Sequence, residues 1–351
     1  MGLEQATAAQ PGIDVDSVTA WMTEHVSGIE PPLAFARVGE GQSNLTYRVR
    51  DAADRVVVLR RPPTGEILAT AHDMGREYRV LTALASADMP VPRPLAMCED
   101  GAVTGAPFYV MEHVDGLVLG TVAAAESIGA AARARVGTSL VETLARLQTT
   151  DLDATGLAEM RRPGSYASRQ LRRWRRQWEA SRTRDLPVVD RVADRLEASV
   201  PEETEVTIVH GDYHLLNMIV GPEGEVRAVV DWELCTVGDP LADLGLTMAY
   251  WHELGQPAAE ARHLFREPIT QLDDFVSAES LASEYERLGR RDVSPLPFWV
   301  SFAYWKIAVI AEGVYRRWLD NPTSGTEPEH IGAAVERLAE LADQAAAEAS
   351  L

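Results

Sequence analysis

The segment His210–Asn217 contains the residues whose types and spacing point most directly to chemistry. It reads His-Gly-Asp-Tyr-His-Leu-Leu-Asn and follows a β-branched run, so that Asp212 and Asn217 stand five positions apart. Asp231 comes fourteen residues after Asn217, at the end of a second apolar run. Phosphoryl transfer needs a carboxylate that orients an attacking hydroxyl and accepts its proton. We expect Asp212 to take that role.

Asn217 and Asp231 have the side chains that a magnesium ion prefers. Mg²⁺ is held by one or two carboxylates together with amide oxygens, water and substrate phosphates. The Asp-x-x-x-x-Asn spacing equals that of the protein-kinase catalytic loop, and a strand-end aspartate further along matches the metal aspartate of those enzymes. A lone His-Gly-Asp is usually a turn and a strand-end aspartate is often a cap. Their joint order and spacing favour a Mg²⁺ site.

Together these segments resemble the aminoglycoside phosphotransferase and choline kinase superfamily, whose marks are an HGDxxxxN loop and a following Asp-Trp-Glu. The run Gly238–Leu244 matches the GDPxxDL segment of that family, and we interpret its Asp239 and Asp243 as structural support. Within the superfamily the chain is similar to bacterial phosphotransferases related to the N-terminal kinase-like region of some acyl-CoA dehydrogenases. The resemblance spans Arg37 to Arg317, with specific motifs near residues 39–77 and 210–244.

The resemblance implies an α+β, bilobal, protein-kinase-like fold with a small antiparallel-sheet N-lobe and a larger, mostly helical C-lobe. Apolar and β-branched runs agree, because strand-like segments dominate before Asp115-Gly116 and helical spacing dominates after it. We expect residues 1–114 to form the nucleotide-binding lobe with a leading helix. Residues 115–351 are expected to carry the catalytic loop and the acceptor site.

A glycine-containing segment, Gly39–Asn44, joins two of the strand candidates. Its glycines, Gly41 among them, allow the backbone to approach phosphates closely, although a hairpin loop with two glycines is also common without any ligand. The resemblance makes Ser43 and Asn44 phosphate-side contacts.

The third strand candidate ends in Arg60, where kinases of this architecture carry a basic residue that holds the α- and β-phosphates and pairs with a helix glutamate. Lys306 is the sole lysine in the sequence, so arginine must serve in this slot. The resemblance makes Arg60 the phosphate-binding residue and Glu77 its partner. Arginine is longer and planar, so nucleotide affinity and the choice between ATP and GTP stay open.

The run from Phe108 to Val114 falls where the hinge between kinase lobes would lie, although a buried strand explains it equally well. If the resemblance holds there, Glu112 and Val114 offer main-chain contacts to a purine and Met111 lines the base pocket.

The amino-acid composition limits the classes of molecule that the protein is expected to bind. The formal net charge of −20, from 53 acidic and 33 basic residues, argues against a nucleic-acid partner, and a cationic or neutral partner fits better. Cys98 and Cys235 lie far apart and indicate neither a disulfide framework nor a zinc site. No secretory signal or membrane span is expected, so the prediction is a soluble, cytoplasmic protein with no membrane partner. The oligomeric state is not indicated.

The acceptor is expected to be a small hydroxylated molecule, since the chain lacks the His-Arg-Asp, Asp-Phe-Gly and Ala-Pro-Glu motifs of protein kinases. An aminoglycoside, a sugar, a choline-like compound and another alcohol all stay open. Acidic residues of the second half would suit a polycation but are usually a solvated face: Glu253, Glu260, Asp273, Asp274 and Glu312. The basic stretch Arg161–Trp178 would suit an anionic or aromatic acceptor, although an amphipathic helix is the preferred interpretation. The rival functions are a pseudokinase that binds nucleotide without turnover and a hydrolase.

Overall fold

The computed structural model describes residues 10–39, 44–64, 73–254, 267, 269–321 and 328–351. The chain forms two compact units, Met1–Asp115 with Ala228–Glu233, and Gly116–Arg227 with Leu234–Leu351. The short segment 228–233, which contains Asp231, therefore lies in the first unit. The domain limits 1–114 and 115–351 stay predictions.

The first unit is built on a five-stranded antiparallel sheet with strand order β1-β2-β3-β5-β4. The strands are β1 Ala34–Val38, β2 Leu45–Arg50, β3 Val56–Arg61, β4 Pro94–Cys98 and β5 Phe108–Glu112. Side chains alternate along β2 and β3, so that Tyr47 and Leu59 are buried on one face. Arg60 consequently points to the opposite face, in register with Thr46 on β2 and Tyr109 on β5.

Three helices accompany this sheet in the described residues of the first unit. Val15–His25 begins at Asp14, whose carboxylate accepts from the Ser17 amide, and its Val18 and Met22 join the core of the sheet. Met74–Ser86 begins at Asp73, which caps the Arg76 amide, and it carries the buried Glu77. Gly101–Thr104 is a single turn between β4 and β5.

The second unit is mostly helical. Its helices are Val122–Glu126, Ala130–Leu147, Tyr166–Ser181, Pro187–Ala198, Leu241–Leu254, Ala278–Gly289, Leu296–Asp320 and Pro328–Glu348. The 25-residue helix Leu296–Asp320 packs against Tyr166–Ser181, Leu241–Leu254 and Pro328–Glu348, and buries Trp299 and Trp305 in its N-terminal half. In the portion of the chain that the structure describes, no helix combines the length and apolar character needed to cross a bilayer.

Four short strands position the loops predicted to do chemistry. β6 Thr207–Val209 pairs antiparallel with β9 Thr236–Gly238 and leads directly into His210. β7 Met218–Val220 and β8 Val226–Val229 form a second two-stranded sheet, and β8 carries the chain towards Asp231. Strand ends thus lead into both motif segments.

Candidate active site

The segment His210–Asn217 begins with a tight turn at Gly211. Gly211 has φ of +84°, and a Cβ built on it would lie 2.8 Å from the Leu234 carbonyl oxygen, so only glycine fits without strain. Asp243, at the start of the helix Leu241–Leu254, accepts hydrogen bonds from the amides of His210 at 2.7 Å and Gly211 at 2.9 Å. This agrees with the interpretation of Asp243 as a brace. Asp239 plays the cap role, accepting from the Leu241 amide at 2.8 Å.

Asp212 and Asn217 lie side by side in this loop. The Asn217 amide nitrogen donates to the Asp212 carboxylate Oδ2 and to the Asp212 carbonyl oxygen, both at 2.9 Å. A short 3-10 turn, Leu215–Asn217, brings the two residues together. The sequence spacing of five therefore places both side chains in direct contact.

His214 is a member of the site that the sequence reasoning did not select. Its Nδ1 accepts from the Leu216 amide at 3.3 Å, so Nε2 carries the proton and donates to Asp212 Oδ2 at 3.2 Å. The ring packs against Tyr250 in a tilted arrangement, with centroids 4.2 Å apart and an interplanar angle of 36°, which restricts its orientation. In the sequence, the position of His214 two residues after Asp212 was the feature that could have identified it as a site residue.

The charges around Asp212 keep it ionised. Burial acts to raise the pKa of the Asp212 carboxyl, but the neighbouring His214, together with the Lys306 ammonium, holds that pKa well below its usual range. Burial raises the pKa of the Asp243 carboxyl to about 6, although the amides that it accepts from oppose this. The surroundings thus lower the pKa of one carboxyl group of this cluster, Asp212, and raise the pKa of the other, Asp243.

Asn217 fits the role of a ligand for a hard cation. Its amide nitrogen is committed to Asp212, and within the described ranges its side-chain oxygen accepts no hydrogen bond. Nor do any three His, Cys, Asp or Glu side chains in those ranges cluster as a metal site. A divalent ion here would need few protein ligands and would depend on substrate phosphates, as Mg²⁺ does.

Asp231 and Arg60 form a tight ion pair in the first unit. Arg60 Nη2 lies 2.6 Å from Asp231 Oδ1, and Arg60 Nε lies 3.2 Å from Glu77 Oε2. Asp231 has φ of +69°, a left-handed conformation that is costly for a residue with a side chain. The structure thus brings together three of the charged residues predicted in this unit, Arg60, Glu77 and Asp231.

Burial and charge work against each other in this cluster. Desolvation acts to lower the pKa of Arg60, but Glu77 and Asp231 more than offset it and raise that pKa. Burial raises the pKa of the Glu77 carboxyl, which is 2% exposed, against the opposing charge of Arg60. Burial also raises the pKa of Tyr109, and Glu77 adds to that shift. Tyr109 was not selected from the sequence, because its cross-strand register with Arg60 appears only in the folded sheet.

The Asp-Trp-Glu segment makes further contacts within the first unit. Asn44 Nδ2 donates to Glu233 Oε2 at 3.0 Å, and Arg76 Nη1 donates to the Glu233 carbonyl oxygen at 3.2 Å. The Asn44 side-chain oxygen is buried without a hydrogen-bond partner. Such an oxygen is available to a donor group of a ligand. Gly41 and Ser43, the other two predicted loop contacts, lie outside the described residues.

The predicted hinge residues occupy the end of β5 and the segment after it. Met111 is buried opposite Val58 of β3, and Val114 is half-buried. The Glu112 amide donates to the Arg93 carbonyl oxygen at 2.8 Å, so a main-chain contact from Glu112 to a purine would have to use its carbonyl oxygen. Purine contacts by these residues stay predictions.

The basic stretch forms an amphipathic helix. Along Tyr166–Ser181, Trp174 and Trp178 are buried, while Arg172, Arg173 and Arg176 are exposed. The preferred interpretation is therefore confirmed, and the tryptophans are core residues.

The acidic residues of the second half do not form one solvated face. Glu312 is fully buried, where its Oε1 accepts from the Thr183 amide and hydroxyl, so a solvated face is wrong for this residue. Glu253 and Glu260 lie outside the side chains that the structure describes.

Comparison with known proteins matches residues 34–267 to the phosphotransferase enzyme family, known as APH. Acyl-CoA dehydrogenase family member 10 of Mus musculus is 35% identical over 314 residues, covering 89% of this chain but 29% of that protein. The chain thus spans less than a third of the length of this relative.

Solved structures give the same assignment. A Ralstonia eutropha protein classed among the aminoglycoside phosphotransferases is 32% identical, with a TM-score of 0.79 over 95% of this chain and 98% of that one. An ethanolamine kinase of Plasmodium vivax is 13% identical, with a TM-score of 0.60 over 92% of this chain and 85% of that one, and shows the fold alone. The predicted α+β, protein-kinase-like fold and the predicted family relationship are confirmed. The chain belongs to the APH phosphotransferase enzyme family.

Proposed function

We propose that this protein transfers the γ-phosphoryl group of a nucleoside triphosphate, ATP or GTP, to a hydroxyl group of a small molecule with the help of Mg²⁺. The observation that carries the proposal is the state of Asp212. Its Oδ2 is held by Asn217 at 2.9 Å and His214 at 3.2 Å. Its Oδ1 accepts no hydrogen bond in the part of the chain that the structure describes, and 32% of the side chain is exposed.

Asp212 is suited to orient an attacking hydroxyl and take its proton. Because its pKa is held well below the usual range, the carboxylate is ionised at neutral pH. Two donors fix one oxygen and leave the other for the acceptor hydroxyl, an arrangement that supplies position more than basicity. Positioning is the main demand of phosphoryl transfer, in which bond formation to the nucleophile is late.

Asn217 and Asp231 would hold the metal ion. When bound, Mg²⁺ would supply positive charge that offsets the negative charge of the phosphates. The free side-chain oxygen of Asn217 and the carboxylate of Asp231 are the hard ligands that this ion takes. Asp231 would exchange its ion pair with Arg60 for the metal, which leaves Arg60 to contact the phosphates.

On the nucleotide side, Glu77 would keep Arg60 oriented after that exchange, since the two side chains are 3.2 Å apart and nearly buried. Gly41, Ser43 and Asn44 would contact phosphates, and Met111, Glu112 and Val114 would line the base site. These roles follow the family pattern residue by residue.

The acceptor class is proposed only as a small alcohol, such as an aminoglycoside, a sugar or a choline-like compound. Along the helix Tyr166–Ser181 the arginines are either exposed to solvent or engaged by the protein itself, as Arg175 is by Asp194 and Glu197. The basic stretch therefore gives no preference for an anionic acceptor. The missing protein-kinase motifs favour a small molecule over a protein.

The test is incubation of the protein with Mg²⁺ and ATP or GTP across a panel of hydroxyl compounds of these classes, with product masses measured by mass spectrometry. The proposal predicts an acceptor whose mass rises by one phosphoryl group, and loss of that product in Asp212→Ala. Release of inorganic phosphate with no phosphorylated acceptor would identify a hydrolase instead.

The alternative function is nucleotide binding without turnover. One observation favours it: Arg60 Nη2 lies 2.6 Å from Asp231 Oδ1, so the carboxylate proposed to hold the metal ion is already paired with a cation. Nucleotide binding by calorimetry without turnover on any acceptor would support this alternative. An Asp212-dependent phosphorylated product would exclude it.

A further inference from the structure

Lys306 lies beside the catalytic loop although it is 95 residues away in the sequence. It is the sole lysine of the chain, since every other basic residue of the Lys and Arg set is an arginine. Its side chain, on the helix Leu296–Asp320, is 7% exposed. Nζ donates to the Gly211 carbonyl oxygen at 2.6 Å and lies 5.6 Å from the centre of the Trp174 ring. Burial of an ammonium group is costly, so its surroundings must compensate.

The Gly211 carbonyl belongs to the peptide that joins Gly211 to Asp212. The two preceding peptides are held by Asp243, which accepts from the amides of His210 and Gly211. Lys306 therefore fixes the third consecutive peptide from the opposite hydrogen-bonding side. With all three peptides held, the backbone that carries Asp212 has little freedom to rotate.

The charged groups around Lys306 also connect it to the loop that carries Asp212. Burial acts to lower the pKa of Lys306, while the carboxylates of Asp212 and Asp243 oppose this and Arg173 adds to the lowering. The two carboxylates are thus the compensation that the buried ammonium requires. An ammonium is a compact point charge, whereas a guanidinium is a planar fork that needs more room. That difference explains why a chain otherwise supplied with arginine carries lysine at this position.

We propose that Lys306 is the positioning residue of the catalytic loop, holding the Gly211–Asp212 peptide so that the Asp212 carboxylate is set towards the acceptor hydroxyl. The inference rests on the proposed function of Asp212. Lys306 contacts neither nucleotide nor acceptor in this account, so its loss affects the transfer step and leaves nucleotide binding in place.

The experiment compares Lys306→Met, which keeps the length and removes the charge, with Lys306→Arg, which keeps the charge. Arg316→Met is the matched control, since Arg316 lies on the same helix with a side chain that is 49% exposed and pairs with Asp320. For each variant, kcat and the KM for nucleotide are measured with the acceptor found in the panel. Amide hydrogen exchange is followed in peptides spanning residues 207–218 and the helix Leu296–Asp320.

In Lys306→Met we expect kcat to fall about 10²-fold with the nucleotide KM unchanged within about twofold, because a small misplacement of a reacting group has this cost. Exchange of the His210 and Gly211 amides should rise about tenfold, as a lost hydrogen bond predicts. Lys306→Arg should restore part of kcat, and Arg316→Met should match the wild type. If Lys306→Met does not fold, Lys306→Arg carries the test, with a smaller fall in kcat and the same local rise in exchange.

Wild-type kcat in the Lys306 variants would overturn the inference while leaving the proposed function intact. Uniformly faster exchange across the helix, with kcat and KM worsened together, would also overturn it, because Lys306 would then be only a stabilising residue. If the wild type transfers no phosphoryl group, the proposed function fails. The exchange of the loop amides then still decides whether Lys306 holds the loop.

Discussion

Removal of Arg60 should destabilise the first unit strongly, because Arg60 is the counterion of a buried carboxylate. The Arg60 side chain is 11% exposed and Glu77 is 2% exposed, with their charged atoms 3.2 Å apart. In Arg60→Met, Glu77 is left buried without its partner, and breaking such a pair costs about 3–5 kcal/mol. The double variant Arg60→Met, Glu77→Met also removes the buried Glu77 carboxylate, and leaves without its arginine only the more exposed Asp231, whose side chain is 29% exposed. We therefore expect the double variant to be more stable than Arg60→Met alone.

The loss of stability in Arg60→Met should increase as the pH rises. Burial raises the pKa of Glu77 above its unfolded value, and loss of Arg60 raises it further. A carboxyl whose folded pKa is raised stabilises the fold when protonated, and that contribution is lost as pH rises through the folded pKa. Arg60→Met should therefore be less stable at pH 8 than at pH 5, relative to the wild type at each pH.

Hydrogen exchange of the amides in β3 and in the helix Met74–Ser86 measures this locally. A loss of about 3–5 kcal/mol corresponds to exchange faster by roughly 10²- to 10⁴-fold where exchange follows cooperative opening. Arg48→Met is the matched control, since Arg48 is an exposed arginine on the adjacent strand β2. Equal destabilisation by Arg48→Met, or a double variant less stable than Arg60→Met, would refute the reasoning.

Three further predictions concern residues in the range 210–244. Asp231→Ala should weaken Mg²⁺-dependent nucleotide binding more than Asp212→Ala does, and equal loss in calorimetric titrations would contradict the assigned roles. Gly211→Ala should lower thermal stability by about 1–3 kcal/mol and abolish transfer, because φ of +84° and the Leu234 carbonyl 2.8 Å from the new Cβ both oppose it. Burial raises the pKa of Asp239 to about 6, so its stabilising contribution is lost as pH rises through that value. In denaturant unfolding, the free energy of unfolding of Asp239→Asn relative to that of the wild type should therefore be higher at pH 8 than at pH 5. A higher relative value at pH 5 would count against this prediction.

Local pattern predicted most of the secondary structure. The apolar and β-branched runs Leu45–Arg50 and Pro94–Cys98 predict strands because they end at clear turn residues, and β2 and β4 have these bounds. The sequence pattern turns helical from Glu126 to Gln148, and the structure has the helix Ala130–Leu147 in this range, with the separate short helix Val122–Glu126 before it. The alanine-rich sequence gives no sign of the interruption between these two helices. The three-residue strands β7 and β9 were not predicted, since so short a run carries no periodicity.

The contacts of the site were predictable only where they are local. Asp212 and Asn217 meet through a turn whose spacing is visible in the sequence. Tyr109 and Lys306 join their clusters through sheet register and helix packing, which no local pattern encodes. Arg60 was predicted to pair with Glu77 and does, but its pairing with Asp231 was not foreseen.

The most direct test of the proposed site is a crystal structure of the protein with Mg²⁺ and a non-hydrolysable nucleoside triphosphate. We expect one ion bound by the Asn217 side-chain oxygen and an Asp231 carboxylate oxygen at about 2.0–2.1 Å, with Arg60 moved from Asp231 to the phosphates and Asp212 not coordinating the ion. An ion bound by neither Asn217 nor Asp231, with Arg60 still paired to Asp231, would contradict the proposed site.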